Sequence, residues 1–213
     1  MFIIRDQRAL IAELDTGTPS SRLSWANAQE TYHRMDEIDG DLDPEVAASA
    51  RPSFYLPRLP VPELRIDDPD FALDMFFIGL WIVSARMREA LALRDDEAVF
   101  RIANVAGAPE PARLGYVAVE PIHHLDGIDP ERSDIFQHSA PGRPDYFWKL
   151  DMYDNKKPKV ALRVDLQAPA PLFYMDRTDW LMISGEAAQR VRAAGVTNVF
   201  FDEPGPFYGS WRD

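Results

Sequence analysis

The sequence contains no cysteine and no long apolar run. The absence of cysteine excludes disulfides, a thiolate nucleophile and cysteine-ligated zinc, and nothing requires an oxidising compartment. The longest apolar run, "MFFIGLWIV", has nine residues, whereas a membrane-spanning helix needs roughly 20. The start of the chain, "MFIIRDQRALIAELD", places charges inside its apolar stretch and has no small-residue cleavage site, unlike a secretory signal. We therefore expect a cytoplasmic protein that does not enter the membrane.

Basic residues are also scarce. The sequence has 23 Lys and Arg residues and 35 Asp and Glu residues, which gives a formal net charge of −12. A nucleic-acid binder needs Lys and Arg on one face to neutralise phosphates, so this balance argues against nucleic acid and permits a basic partner. The chain shows no phosphate loop, dinucleotide fingerprint or basic aromatic patch. We expect no cofactor.

The order of the predicted elements indicates an α+β fold with a mixed or antiparallel sheet, because strands outnumber helices and do not alternate regularly with them. A helix is expected to begin near Ser24, and the stretch from Arg51 to Pro62 contains four prolines, which suits an irregular covering segment. We predict a helical and extended appendage over residues 1–63 that packs on an α+β domain over 64–213. A single domain is the alternative.

Several strands are predicted from apolar runs. "DMFFIGLWIV", residues 74–83, has the composition of one buried strand. "DYFWKLDMY" and "KVALRVDL" are predicted to pair with each other through the connection "DNKKP".

One unit occurs twice in the sequence: a short apolar strand, a serine and a helix. In the second copy Ser184 precedes the helix, Glu186 lies in its first turn, and Gly195 follows its end, as expected for an N-cap, a favourable dipole interaction and a left-handed terminator. In the first copy Ser84 has the equivalent position. A nucleophile elbow requires Gly-x-Ser-x-Gly, which neither serine has, so we predict that both are caps.

The segment "HHLDGIDPERSD" has the highest density of chemically active side chains. His123, His124, Asp126 and Asp129 suggest a metal or acid/base site, which would make the chain a small metal-dependent hydrolase. However, adjacent histidines on a strand point to opposite faces, and no His-Glu-x-x-His frame is present. Asp129 followed by proline is also an ordinary helix start with an aspartate cap. We favour the structural interpretation and predict neither a metal nor catalysis.

Four stretches of the chain resemble the immunity protein 11 family of bacterial polymorphic toxin systems. They are "LWIVSARMREAL", "VAVEPIHHLDGIDPERSDI", "APLFYMDRTDWLMISGEAAQRVRAAG" and "VTNVFFDE". The positions that carry the likeness are Asp126, Asp129 and Ser133 in the middle and Gly195 and Val196 near the end, while Asn198 stands where glycine is usual. The likeness covers about residues 74–203. It implies a cytoplasmic protein that neutralises a toxin encoded beside it, with no catalytic residues to transfer.

An acidic segment is the first candidate for contact with such a toxin. "DEIDGDLDPE" has six acidic residues in ten. It is not a calcium-binding EF-hand, because the loop position that needs glycine holds Pro44 and the one that needs glutamate holds Ala50. An acidic loop facing a basic cleft would accelerate association; a solvated loop is the alternative. The candidate residues are Asp36, Glu37, Asp39, Asp41 and Asp43.

The aromatic tail is the second candidate. "GPFYGSW" contains Phe207, Tyr208 and Trp211, and aromatic side chains are preferred anchors of protein interfaces. Docking of the tail on its own core is the alternative. Besides toxin binding and metal-dependent hydrolysis, self-association through the repeated unit is the remaining hypothesis for function.

Overall fold

The computed structural model describes residues 1–6, 23–40, 55–66, 73–107, 115–140, 143–150, 160–176, 178, 180–196 and 198–202. Within these ranges the α-helices are α1 (Ala28–Gly40), α2 (Ala85–Leu91) and α3 (Gly185–Ala193). Single 3₁₀ turns cover Leu56–Arg58 and Pro130–Arg132. No helix in this part of the chain is long and apolar enough to cross a membrane.

A four-stranded antiparallel sheet forms the middle of the molecule. Its strands, in spatial order, are β4 (Met75–Phe77), β5 (Trp81–Val83), β8 (Val117–Pro121) and β6 (Ala98–Ile102). Both faces of this sheet are buried in apolar clusters, because alternate residues of a strand point to opposite faces. Phe76 and Ile82 face one cluster, and Met75 and Val83 face the other.

A five-stranded sheet contains the second copy of the repeated unit. Its strands, in spatial order, are β14 (Val199–Asp202), β1 (Phe2–Asp6), β13 (Leu181–Ile183), β12 (Leu172–Met175) and β9 (His124–Leu125). All neighbours are antiparallel except β12 and β9. The first strand of the chain thus lies inside this sheet and pairs with β13 on one side and β14 on the other.

Two smaller sheets complete the described strands. One joins β2 (Leu23–Trp25), β3 (Glu63–Ile66) and β7 (Asn104–Gly107), with β2 and β3 antiparallel and β3 and β7 parallel. The other is the antiparallel pair of β10 (Ile135–Ala140) and β11 (Arg143–Leu150). The α+β prediction with mixed and antiparallel sheets is confirmed.

The two copies of the repeated unit share one core. Each consists of an antiparallel hairpin, a serine and a helix, and α2 packs against α3. Met87 and Leu91 of α2 belong to the same buried cluster as Ala187 and Val191 of α3. Arg190 of α3 also donates to two carbonyls at the end of α2, those of Ala90 (3.1 Å) and Leu91 (2.9 Å). The repetition therefore produces two halves that cover each other within one chain.

The other face of the four-stranded sheet is covered by the N-terminal region. The cluster there combines Phe76 and Ile82 of the sheet with Ile38 of α1, Leu56 and Leu64. β3 (Glu63–Ile66) spans the predicted boundary at residue 63 and pairs with β7 beyond it. The division into an appendage over 1–63 and a domain over 64–213 remains a prediction.

Two strand predictions were wrong. Residues 74–83 do not form one strand; they form the hairpin of β4 and β5, which turns at Ile78, Gly79 and Leu80. Gly79 has φ +92°, a left-handed conformation that glycine adopts readily. Within the described parts of both segments, residues 145–150 and 160–166, the predicted pairing of "DYFWKLDMY" with "KVALRVDL" is also absent: β11 pairs with β10, and Leu162 forms an isolated bridge with Ile128.

The first helix begins later than predicted. Residues 23–25 form β2, and α1 begins at Ala28 rather than near Ser24. It extends through Gly40 and so includes the first half of the acidic segment. Thr31 and Ile38 face the core, and Met35 between them is half-buried.

Candidate functional site

Both serines of the repeated unit cap a helix. Ser84 Oγ accepts a hydrogen bond from Met87 N at 3.2 Å, and Ser184 Oγ accepts one from Ala187 N at 3.1 Å. Both serines have extended backbone dihedrals, as an N-cap requires. Ser84 is only 2% exposed, which leaves its hydroxyl without access for a substrate.

Ser84 also belongs to a buried polar network that the sequence did not suggest. Its hydroxyl donates to Asp74 Oδ1 at 2.6 Å, and the guanidinium of Arg86 donates to both Asp74 carboxylate oxygens. Asn198 accepts from Asp74 N at 2.9 Å and donates to Met75 O at 2.8 Å. Because both charged groups and the amide are paired, the network stabilises the contact between β4 and the segment preceding β14.

Asn198 takes part in this network through both ends of its side-chain amide. Its side chain is buried, and both ends of its amide bond the backbone at the start of β4. A glycine could make neither bond. No motif in the sequence signals this role, since the partners are more than 120 positions away.

The helices α2 and α3 end at different residue types in the left-handed conformation. After α2, Ala92 takes φ 50° and ψ 42° and its N–H bonds the carbonyls of Arg88 and Glu89. After α3, Gly195 takes φ +73° and its N–H bonds the carbonyl of Arg192 at 3.1 Å. The left-handed residue is thus an alanine in the first copy and a glycine in the second.

The histidine and aspartate residues of "HHLDGIDPERSD" each contact different parts of the chain and do not converge on one site. Asp126 pairs with Arg163 at 3.0 Å. The ring of His124 lies 5.5 Å from that of Tyr174, and the His123 carbonyl accepts from Tyr174 N. Asp129 caps the 3₁₀ turn by accepting from Glu131 N at 3.1 Å. Among the described residues no group of three or more His, Cys, Asp or Glu side chains is arranged to hold a metal ion.

Ser133 of the same segment joins the 3₁₀ turn at Pro130–Arg132 to Ala161. Its hydroxyl donates to the Asp129 carbonyl at 2.6 Å and accepts from Ala161 N at 2.9 Å. Asp129 N in turn donates to the Ala161 carbonyl. These three contacts give Asp129 and Ser133 a structural role in joining residues 129–133 to 161.

A half-buried carboxylate holds the covering segment on the sheet. Glu120 of β8 accepts hydrogen bonds from Leu56 N (2.8 Å) and Tyr55 N (3.3 Å), while Arg101 of β6 donates to the Leu56 carbonyl at 2.9 Å. Burial raises the pKa of Glu120, and the two backbone donors oppose that shift. The sequence reasoning did not identify this carboxylate.

The acidic candidates lie partly within the described residues. Asp36 and Glu37 are exposed on α1, and Asp39 is in the same helix. Arg34 Nη1 donates to Glu37 at 2.6 Å, which lowers the pKa of Glu37. Asp41 and Asp43 lie outside the described residues, as do Phe207, Tyr208 and Trp211 of the tail.

The acidic end of α1 works against the helix dipole. Its last turn carries no basic residue, although cations are favoured at a helix C-terminus and carboxylates are disfavoured there. The dipole therefore does not favour the carboxylates of Glu37 and Asp39 in this turn, although Glu37 gains a pair with Arg34.

A comparison with protein-family models decides the family. Residues 22–205 match the model of an immunity protein family, Imm11. The chain belongs to the Imm11 immunity protein family. A search of curated proteins finds no match.

The Imm11 match extends further towards the N-terminus than the resemblance in the motifs. It begins at residue 22 rather than near residue 74, so β2, α1 and β3 are part of the family's shared region. The acidic helix is thus within the Imm11 segment. Only β1 among the described strands lies before the match. The family suggests an immunity function for the chain.

Proposed function

We propose that this Imm11 protein binds a cognate toxin domain encoded nearby and neutralises it by occupying its surface, without catalysis of its own and in the cytoplasm. The observation that carries the proposal is the family match over residues 22–205. An immunity protein protects a cell from a toxin, and direct binding is the simplest route for a chain in which Asp74, Glu120 and Asp129 are all engaged in structural contacts.

The exposed acidic end of α1 is the proposed contact for a basic toxin surface. Asp36 and Glu37 are exposed, and the chain as a whole has a formal net charge of −12. Opposite charges on two partners accelerate association and select the correct partner. We include Asp39, Asp41 and Asp43 in this contact, and the aromatic tail residues Phe207, Tyr208 and Trp211 as anchors.

Co-expression tests the function directly. The C-terminal domain of the adjacent open reading frame is expressed in a bacterium with and without this protein, and surviving colonies are counted. We expect survival only with the immunity protein and co-purification of the pair. Toxicity that this protein does not relieve would contradict the proposed function.

Neutralising the acidic segment tests the contact. A variant with Asp36→Asn, Glu37→Gln, Asp39→Asn, Asp41→Asn and Asp43→Asn should bind the toxin domain about tenfold or more weakly, since close charge pairs in interfaces contribute on the order of 1.5 kcal/mol or more. The dependence of Kd on salt concentration should become flatter. Kd is measured by titration calorimetry at several salt concentrations.

A matched control removes five other exposed carboxylates. The changes are Glu89→Gln, Asp95→Asn, Asp96→Asn, Glu131→Gln and Asp165→Asn, all at exposed positions. Both variants lose five negative charges. An effect of net charge alone would therefore weaken toxin binding equally in the two variants. Equal Kd values for the two variants would show that the acidic segment is not the contact.

A further inference from the structure

A groove lies beside α2 on the surface of the first copy of the repeated unit. It has a volume of about 380 Å³. Gly115, which precedes β8, packs closely on α2, since a Cβ at this glycine would lie 3.1 Å from the Cβ of Ala85. The residues that line the groove are Ala85, Arg88, Glu89, Ala92, Leu93 and Gly115. Its walls are thus mostly small or aliphatic, with one cation and one anion among them.

The two charged residues of the groove have no counter-charge within the described part of the chain. The guanidinium of Arg88 lies over the Phe100 ring, 4.6 Å from its centroid, and neither Arg88 nor Glu89 forms an ion pair with a described residue. Adjacent residues of a helix do not face each other, so the two side chains do not pair with one another. A cation that is already ordered and an anion beside it therefore remain available to a partner.

An exposed isoleucine lies on the same side of the sheet as α2. Phe100, which contacts Arg88, is opposite Val119 in the register of β6 and β8, and Ile102 is opposite Val117. Both valines belong to the apolar cluster that α2 covers. Directly opposite residues share one face of a sheet, so Ile102 shares the face of Phe100. It is 73% exposed, at the end of a strand that is an edge among the described strands.

The surface formed by these residues is complementary to itself. In a contact about a two-fold axis, both copies use the same residues and every interaction occurs twice. Ile102 of each copy can then enter the apolar groove of the other, and Arg88 of each copy can pair with Glu89 of the other. A chain with a formal net charge of −12 otherwise repels its own copies, so a contact between copies requires a place that offers both signs of charge.

We propose that two copies of the chain associate through this surface, here called the α2–β6 surface and defined as Ala85, Arg88, Glu89, Ala92, Phe100 and Ile102. The inference concerns the isolated chain and does not depend on toxin binding. It assigns self-association to the exposed side of α2, because the buried side of this helix packs against α3 and the sheet. One short helix and one strand end bury less than a standard interface, so the dimer should dissociate on dilution.

Ile102→Glu tests the apolar part of the contact. A carboxylate inside an apolar groove loses its hydration without gaining a partner, so the dimer Kd should rise about tenfold or more. Val164→Glu is the matched control, since Val164 is 75% exposed on a turn outside the α2–β6 surface, and it should dimerise as wild type does. Sedimentation equilibrium over a wide range of protein concentrations measures Kd, and circular dichroism shows whether each variant is folded.

Two charge variants test the ionic part of the contact between different chains. Arg88→Glu leaves only carboxylates at positions 88 and 89, and Glu89→Arg leaves only guanidinium groups there. Each variant should therefore repel its own copies and dimerise about tenfold or more weakly. In an equal mixture of the two variants every contact joins opposite charges, so a heterodimer should form more tightly than either homodimer. Misfolding of a variant could not produce this recovery.

Glu131→Arg and Arg132→Glu are the matched pair of charge variants. The two residues are adjacent and exposed on a 3₁₀ turn, outside the α2–β6 surface, and the substitutions make the same changes of charge. Each variant alone should dimerise as wild type does, and their mixture should show no preference for a heterodimer.

The expected result is a concentration-dependent dimer that Ile102→Glu weakens and that the mixed charge variants restore. A wild-type chain that stays monomeric at every concentration would overturn the proposal. So would a mixture of Arg88→Glu and Glu89→Arg no tighter than the separate variants, or equal effects of Ile102→Glu and Val164→Glu. If Ile102→Glu weakens binding of the toxin domain but leaves the dimer unchanged, the α2–β6 surface belongs to the toxin and not to a second copy. Failure of the co-expression test would leave this inference standing, because the dimer is measured without a toxin.

Discussion

Two residues that end equivalent helices show how single side chains affect stability at the residue scale. Ala92 and Gly195 both take positive φ, 50° and 73°, but only glycine does so without steric cost. For an L-residue the left-handed conformation costs roughly 1–2 kcal/mol. The first copy of the repeated unit therefore carries a strain that the second copy avoids.

Exchanging the two residues should change stability in opposite directions. We expect Ala92→Gly to raise the free energy of unfolding by about 0.5–1 kcal/mol and Gly195→Ala to lower it by about 1 kcal/mol. No atom lies within 4 Å of the Cβ position at Gly195. The stability change of Gly195→Ala therefore reflects backbone strain and not a steric clash of the new methyl group. Both are measured by denaturant unfolding, and a destabilised Ala92→Gly variant would contradict the argument.

Glu120 should make stability depend on pH. Burial raises the pKa of its carboxyl above the ordinary value of 4.5, so the folded state retains the proton to higher pH than the unfolded state does. The folded state then binds more protons, and stability falls as the pH rises from about 4.5 through the folded pKa. Below that window both states are protonated and the contribution is complete.

Glu120→Gln provides the comparison for this pH dependence. The amide does not titrate, so the difference in unfolding free energy between wild type and variant should decline with pH through the window above 4.5 and be constant below it. Unfolding in denaturant across a pH series measures this difference. A difference that grows as the pH rises would show that the carboxylate form is the one the fold favours.

At the scale of elements, β1 is the strand that attaches β14 to the rest of its sheet. β1 pairs with β14 on one side and β13 on the other, and Ile4 in its centre is only 2% exposed. We expect Ile4→Ala to lower the free energy of unfolding by about 2–5 kcal/mol, the usual cost of truncating a buried isoleucine. Denaturant unfolding measures the change.

Ile102→Ala is the matched control for that prediction. It is the same substitution in another strand, but Ile102 is 73% exposed, so its effect should stay within about 1 kcal/mol. Equal losses for the two variants would mean that β1 adds little to the core, in spite of its place in the sheet.

Local signals explain which elements the sequence could predict. Ser84, Ser184 and Asp129 lie before helical turns and bond the first N–H groups there, and capping depends only on residues a few positions apart. The hairpin of residues 74–83 was missed because its apolar composition is continuous and only Gly79 marks the turn. The partner predicted for β11 was wrong for another reason: strand pairing depends on contacts between distant residues, which local composition does not encode.

The candidate surface could be predicted only in part for the same reason. The acidic residues at the end of α1 are visible as a run in the sequence. The position of α1 on the sheet is not, because it depends on contacts such as that of the Tyr32 hydroxyl with the Ile78 carbonyl, 46 positions later. Contacts of this separation are set by packing of the whole chain.

At the scale of the whole molecule, Asn198 joins the two copies of the repeated unit. It lies just before β14 and bonds the backbone of Asp74 and Met75, which are 124 and 123 positions earlier. Asn198→Ala removes both bonds and leaves a buried N–H and a buried carbonyl without these partners. We expect a loss of about 2–4 kcal/mol in the free energy of unfolding, since each unsatisfied buried group costs about 1–3 kcal/mol.

Asn104→Ala tests whether that loss comes from the buried contact. Asn104 is exposed on β7, so its truncation should change stability by no more than about 0.5 kcal/mol. If the two variants unfold at the same denaturant concentration, the amide of Asn198 does not hold the halves together. A large loss for Asn198→Ala alone would mean that the two hairpin–serine–helix units are coupled through one side chain as well as through their shared apolar core.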